Sequence, residues 1–198
     1  MSESRSLSAI EARGPLKPLK LSHVVLRTRA VKTARDWYLL VLNARVQFED
    51  DMVCFVTFDE EHHRVGFVQL PGTTETSPTQ AGLEHVSFTY SSLGELLANY
   101  RRLKKHGIEP YWTINHGPTI SLYYRDPDRN RVELQYDVFE TADGANRFVA
   151  EHYPENFMGI IFDPEELIRR FQSGVELQDL VKRPTLPPGK TPWDMHRD

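Results

Sequence analysis

The chain has a single cysteine, Cys54, in 198 residues. That excludes an intramolecular disulfide, a zinc ribbon and a dithiol redox motif, and it favours a reducing, intracellular setting. Cys54 lies in the apolar run Val53-Cys54-Phe55-Val56 and reads as core filler. Long hydrophobic runs are also missing: no stretch approaches the roughly 20 apolar residues that span a bilayer. Met1 to Lys20, which carries Glu3 and Glu11, has no continuous apolar segment of the kind a secretory signal needs. Nor is there a surplus of positive charge. Lys and Arg total 24 against 28 Asp and Glu, interspersed, so the net charge is −4 and no basic stripe can follow a phosphate backbone. Neither a membrane nor a nucleic acid is expected as a partner, and a soluble cytoplasmic protein is the expectation. The length suits one domain with a substantial apolar core.

What the chain does have is an internal repeat. Residues 1–18, ending in Gly14-Pro15-Leu16-Lys17-Pro18, read as a flexible arm with little to bury. Leu21-Ser22-His23-Val24-Val25-Leu26 then alternates as a strand, and Val31 to Leu42 carries Ala34, Trp37, Tyr38 and Val41 at helical spacing. Three β-rich runs follow: Ala44 to Phe48, Met52 to Phe58 and Arg64 to Leu70. Pro71 to Gln80 has the composition of a linker, and after it the same order begins again. Leu83-Glu84-His85-Val86 echoes Leu21-Ser22-His23-Val24, and a helix from about Leu93 to His106 ends at Gly107. Strands at Tyr111 to Ile114, Ile120 to Arg125 and Arg131 to Tyr136 complete the second copy. Asp59…Arg64-Val65 and Asp126…Arg131-Val132 superpose without a gap.

The expected fold is therefore α+β: two paired βαβββ modules, about 20–70 and 82–137, forming a curved, partly closed sheet around a metal site within a catalytic domain of residues 19–137. A repeat of this kind commonly builds one site between two halves. Residues 138–198 form a helical and extended tail. Thr141 to His152 looks helical, and Asp163-Pro164-Glu165-Glu166 is a strong helix start running to about Ser173 and Gly174. The proline-rich stretch Arg183 to Gly189 cannot form a sheet interior. It is expected to cover the module surface or a neighbouring subunit, which points to a homo-oligomer.

His23 and His85 hold the same place in the two copies, so pairing the modules brings two imidazoles together. Glu133, in Arg131-Val132-Glu133-Leu134, is a carboxylate in an otherwise buried segment. Such a group is costly without a partner and well placed beside a divalent cation. Two His and one carboxylate with open positions suit Fe(II) oxygen chemistry. Gly66 aligns with Glu133, so the first module offers no fourth ligand.

With these residues the chain resembles the vicinal oxygen chelate superfamily and, within it, the one-domain type I extradiol dioxygenases. The strings that carry the resemblance are Leu21 to Leu26, Glu61-His62-His63-Arg64-Val65-Gly66-Phe67, Gly82 to Phe88 and His116 to Glu133. It covers about residues 19 to 137, and the tail with Phe162-Asp163-Pro164-Glu165-Glu166-Leu167 is similar too. The resemblance implies that His23, His85 and Glu133 hold Fe(II), that His63 is the acid/base residue, and that His116 and Tyr123 contact the substrate and its oxygenated forms. The implied reaction opens a catecholic ring with both atoms of O2. In two places the chain departs from the family: His116 lies closer to Tyr123 than in larger members, and Arg129 stands where the family usually has Gly in an Asp-Pro-x-Gly-Asn turn. His62, His106, His152 and His196 read as surface or tail residues.

Two other functions fit the same fold. One is a glyoxalase-like isomerase or an epimerase using Zn²⁺, Ni²⁺ or Co²⁺, against which Gly66 argues. The other is a protein that sequesters an aromatic ligand, which would not need the His-His-Glu set.

Overall fold

The computed structural model describes residues 6–75, 77 and 81–198. The expected linker Pro71 to Gln80 and the expected arm 1–18 therefore lie partly outside the described residues. What is described of the arm holds one short helix, α1 (Leu7–Glu11), with no buried residue.

Each module forms as its apolar pattern predicts. The first runs β1 (Val24–Arg27), α2 (Val31–Leu42), β2 (Arg45–Glu49), β3 (Val53–Thr57) and β4 (Val65–Val68). In α2, Val31, Ala34, Tyr38 and Val41 recur at helical spacing and are buried, and Asn43 ends the helix in the left-handed conformation at φ 50°. The second runs β5 (Val86–Tyr90), α3 (Leu93–Lys105), β6 (Trp112–Asn115), β7 (Thr119–Arg125) and β8 (Arg131–Asp137). Ser92 caps α3 by accepting from the Glu95 N–H at 3.1 Å, and Gly107 follows the helix at φ 73°. Both sheets use one order, β1-β4-β3-β2 and β5-β8-β7-β6, with the first pair parallel and the others antiparallel. The registers match as well. Val25 faces Gly66 where Ser87 faces Glu133.

Period-two alternation gives each sheet two faces. One packs against α2 and α3, burying Val56, Val65, Phe67, Leu122, Tyr124, Val132 and Leu134 in a core common to both modules. The other face carries His23, Gly66, His85, Glu133 and Tyr123.

The modules are also clamped at the turn before β8. Asp128 accepts from Thr28 Oγ1 and, at 2.7 Å, from Arg29 Nε at the end of β1, while Tyr38 of α2 donates to Asp126 at 3.2 Å.

The tail adds α4 (Ala142–His152), a two-residue strand β9 (Ile160–Ile161), α5 (Pro164–Gln172), α6 (Leu177–Val181) and a 3-10 turn at Pro192–Met195. The Asp163 cap accepts from the Glu165 N–H at 2.9 Å, as its sequence predicts. β9 was not expected, because two residues carry no period. It joins the edge of β6 at Ile114 and Asn115, and Gly159 makes that possible: a Cβ there would lie 2.4 Å from the Asn115 carbonyl oxygen. The remainder folds back over the second module, with Trp112 Nε1 donating to the Met195 carbonyl at 2.8 Å. Among the described residues no helix is long and apolar enough to cross a membrane.

Candidate metal centre

On the second module, β8 lies between β5 and β7, so Glu133 is flanked by Ser87 on one side and Tyr123 on the other. It is 4 % exposed. His85 enters immediately before β5 on the same face and sets its Nε2 3.2 Å from Glu133 Oε2. Burial pushes the Glu133 carboxyl up, but hydrogen bonding from His85, then Ser121 and Ser87, outweighs it and holds the group down to about 2. Glu133 in turn raises the His85 imidazole. The pair therefore favours a positive charge at its centre, which a proton or a metal ion can supply.

Above it, Tyr123 OH lies 3.1 Å from His116 Nε2, and His116 Nδ1 meets the Met158 carbonyl. A carbonyl only accepts, so Nδ1 carries the proton and Nε2 is free to accept from Tyr123. Burial lowers the His116 pKa and keeps the ring neutral. Burial, and after it the Glu133 charge, raises that of Tyr123, which stays a phenol. Trp112 stacks on Tyr123 with ring centroids 4.6 Å apart, fixing the phenol ring.

On the first module, His63 stands in the turn before β4, 8 % exposed, stacked on Phe55 at 4.6 Å between centroids. His23 enters immediately before β1, its ring 4.1 Å from that of His63. Burial, then the neighbouring His23 and His62, lowers the His63 pKa. The shift favours the neutral imidazole.

The six expected residues thus fall into two groups. His85, Glu133, Tyr123 and His116 form one, and His23 with His63 forms the other. Among the described residues, the ligand atoms that lie within 4.8 Å of one another as a set of three belong to His23, His62 and His63, not to His23, His85 and Glu133. The modules do meet beside His23. A cleft of about 260 Å³ is lined by Ser22, His23 and Val24 from one side and Val86, Ser87 and Phe88 from the other. Sequence reasoning read His62 as a surface residue, and it is exposed; the sequence showed neither its grouping with His23 and His63 nor Phe55 and Trp112 as supports. Phe55 was findable, because the strand pattern sets it opposite Gly66.

The donor chemistry fits a ferrous ion: imidazole, ionised carboxylate and room for further ligands. Of the expected donors, His85 and Glu133 stand 3.2 Å apart, close to the roughly 3 Å that separates adjacent ligands about 2.1 Å from one six-coordinate ion, while His23 groups with His62 and His63.

The family model described as the Glyoxalase/Bleomycin resistance protein/Dioxygenase superfamily matches residues 20–134, ending just past Glu133. The chain belongs to that superfamily. Among curated members, the biphenyl-2,3-diol 1,2-dioxygenase 2 of Rhodococcus globerulus is 46 % identical over 164 residues, covering 82 % of this chain and 86 % of the relative. The biphenyl-2,3-diol 1,2-dioxygenase 3 of the same organism is 41 % identical over 167 residues, covering 83 % and 88 %. Solved structures share the fold. Lactoylglutathione lyase from Agrobacterium tumefaciens is 16 % identical with a TM-score of 0.50, covering 60 % of this chain and 94 % of its own. A glyoxalase/bleomycin resistance protein/dioxygenase domain from Frankia sp. EAN1pec is 24 % identical with a TM-score of 0.50, covering 61 % and 99 %. At those identities these structures support the fold and nothing about chemistry.

Proposed function

We propose that this chain is an extradiol dioxygenase, which opens a catecholic ring using both atoms of O2, and that His23, His85 and Glu133 hold Fe(II). The observation that carries the reading is the buried, ionised Glu133 paired with His85 at 3.2 Å, where the equivalent position of the other module is Gly66. Three protein donors leave positions for a two-oxygen substrate and O2, whereas a carboxylate from each module would add a fourth protein donor and take one of those positions. The two Rhodococcus relatives support the same reaction class.

Bound iron would supply the path by which electrons pass from a chelated diol to O2. The protein's own residues then have distinct tasks. His63, neutral and anchored on Phe55, takes a proton from the diol and returns it as the ring opens. Tyr123, fixed by Trp112, has one O–H to give: it goes to His116 Nε2 in the free chain and turns to an oxygen atom on the metal-facing side when substrate is bound. The His116 tautomer, set by the Met158 carbonyl, leaves Nε2 as the acceptor that holds the phenol proton until substrate arrives.

The test is oxygen uptake by Fe(II)-loaded chain over a panel of catechols that includes biphenyl-2,3-diol, with a coloured ring-fission product as the readout. Uptake of one O2 per diol is expected. Stoichiometric iron with no uptake on any diol would overturn the proposal in favour of a binding protein.

A further inference from the structure

His62 has no part in the reaction proposed above, yet it stands within ligand range of two residues that do. The ligand nitrogens of His23, His62 and His63 all lie within 4.8 Å of one another. Adjacent residues in a strand would point to opposite faces. Here the turn before β4 lets His62 and His63 converge, with ring centroids 4.4 Å apart and planes at 89°. His23 closes the group from the other side, 5.8 Å from the His62 ring.

The orientation of His62 is also prepared. Its Nδ1 lies 2.8 Å from Glu61 Oε1. A carboxylate accepts only, so Nδ1 donates and Nε2 carries the free lone pair. Glu61 is itself held by Lys20. A carboxylate behind a ligating imidazole is the arrangement that fixes tautomer and raises ligand basicity at metal centres. His23 and His62 are solvent-exposed, so an ion reaches them without any opening of the fold.

We propose that His23, His62 and His63 form a second metal site, for Zn²⁺ or a neighbouring borderline cation, with Glu61 as the supporting carboxylate. Three imidazoles with a fourth position for water make an established zinc donor set, and imidazole favours the later first-row ions over Fe²⁺. The site shares His23 with the iron centre and takes up His63. On the dioxygenase reading, which this corollary rests on, Zn²⁺ here and turnover exclude each other.

Zinc titration of the metal-free full chain against a competing chromophoric chelator tests the site. The His85→Ala/Glu133→Ala double variant, which lacks the iron donors, is expected to bind one Zn²⁺ per chain. Adding His62→Ala should weaken that binding by about 100-fold or more, and adding Glu61→Gln by about 10-fold. No zinc on the double variant, or unchanged affinity after His62→Ala, would overturn the site. In the wild-type chain, imidazole ¹⁵N spectroscopy reads the site without any variant: stoichiometric Zn²⁺ should shift His62 Nε2, and an unshifted His62 would overturn the proposal. Zinc should also inhibit oxygen uptake, and His62→Ala should raise the concentration required about tenfold or more. Inhibition unaltered by that change would overturn the link between the sites. A chain that binds zinc at His62 but consumes no oxygen counts against the dioxygenase reading and supports this site.

Discussion

The two modules place their aromatic and ligand residues on equivalent rungs and use them differently. Across the second sheet the rung is Trp112, Tyr123, Glu133 and Ser87; across the first it is Phe48, Phe55, Gly66 and Val25. Where one carries a phenol beside a carboxylate, the other carries a phenyl ring over a residue with no side chain. A Cβ on Gly66 would meet Phe55 Cδ1 at 3.1 Å and Val25 Cγ2 at 3.3 Å. Phe55 thus occupies the space a ligand would need, and His63 is stacked on it. A duplicated scaffold carries its buried carboxylate in one half and the His63–Phe55 stack in the other.

The sharpest way to break this division is to remove its carboxylate. Glu133→Ala should abolish stoichiometric iron and lower turnover by about 10³-fold or more, equivalent to ~4 kcal/mol of transition-state stabilisation. Iron analysis alongside oxygen uptake checks it, and full iron with full turnover would remove Glu133 from the centre. His23→Ala in parallel sharpens the comparison. Equal loss of iron means that the halves close over one ion; retained iron confines the centre to the second module.

Next in size is the base. His63→Gln should keep iron and lose about 10²–10⁴-fold in turnover. Unchanged rates across pH would reject the acid/base role and leave His63 as packing against Phe55. A smaller effect follows from giving the second module the first module's residue. Tyr123→Phe removes the hydroxyl that faces His116 while keeping the stack on Trp112. We expect turnover to fall about tenfold, in line with one lost hydrogen bond, with iron affinity changed less. Kinetics and iron titration run together can contradict that ordering.

Much of this was legible in the sequence because alternation reports faces. The equivalence of His23 with His85, and of Gly66 with Glu133, needed only strand periods and one gapless alignment, and the observed registers agree with both. The grouping of His23 with His62 and His63 was not legible, since side-chain direction in the turn before β4 follows no period. The clamp of Asp128 on Thr28 and Arg29 escaped for a different reason: its partners are about a hundred residues apart. In the tail, β9 exists only because β6 offers it an edge.

Gly66 itself supplies a test in the first module that leaves every proposed ligand in place. Gly66→Ala forces Phe55 to move by a few tenths of an ångström in a strand with neighbours on both sides. Overpacking of this kind costs about 1 kcal/mol. Thermal unfolding should show the loss, and turnover should fall with it, because His63 rides on Phe55. Lost stability with intact turnover would show that the stack is only packing.

The smallest expected effect concerns the equivalent turns, which begin alike. Asp59 Oδ1 accepts from the Glu61 N–H at 3.0 Å, and Asp126 Oδ1 accepts from the Asp128 N–H at 2.9 Å. They diverge at Arg129, whose φ is +68°. A side chain in that region costs about 1–2 kcal/mol, and glycine would relieve it while losing roughly 0.5–1 kcal/mol of unfolded-chain entropy. Arg129→Gly should therefore stabilise the chain by about 0.5 kcal/mol, without changing iron content or oxygen uptake, since the clamp bonds of Asp126 and Asp128 do not use the Arg129 side chain. Denaturant unfolding reads the gain. A loss of stability instead would mean that the Arg129 side chain contributes contacts that outweigh its backbone strain, and the second turn would then differ from the first by more than its clamp.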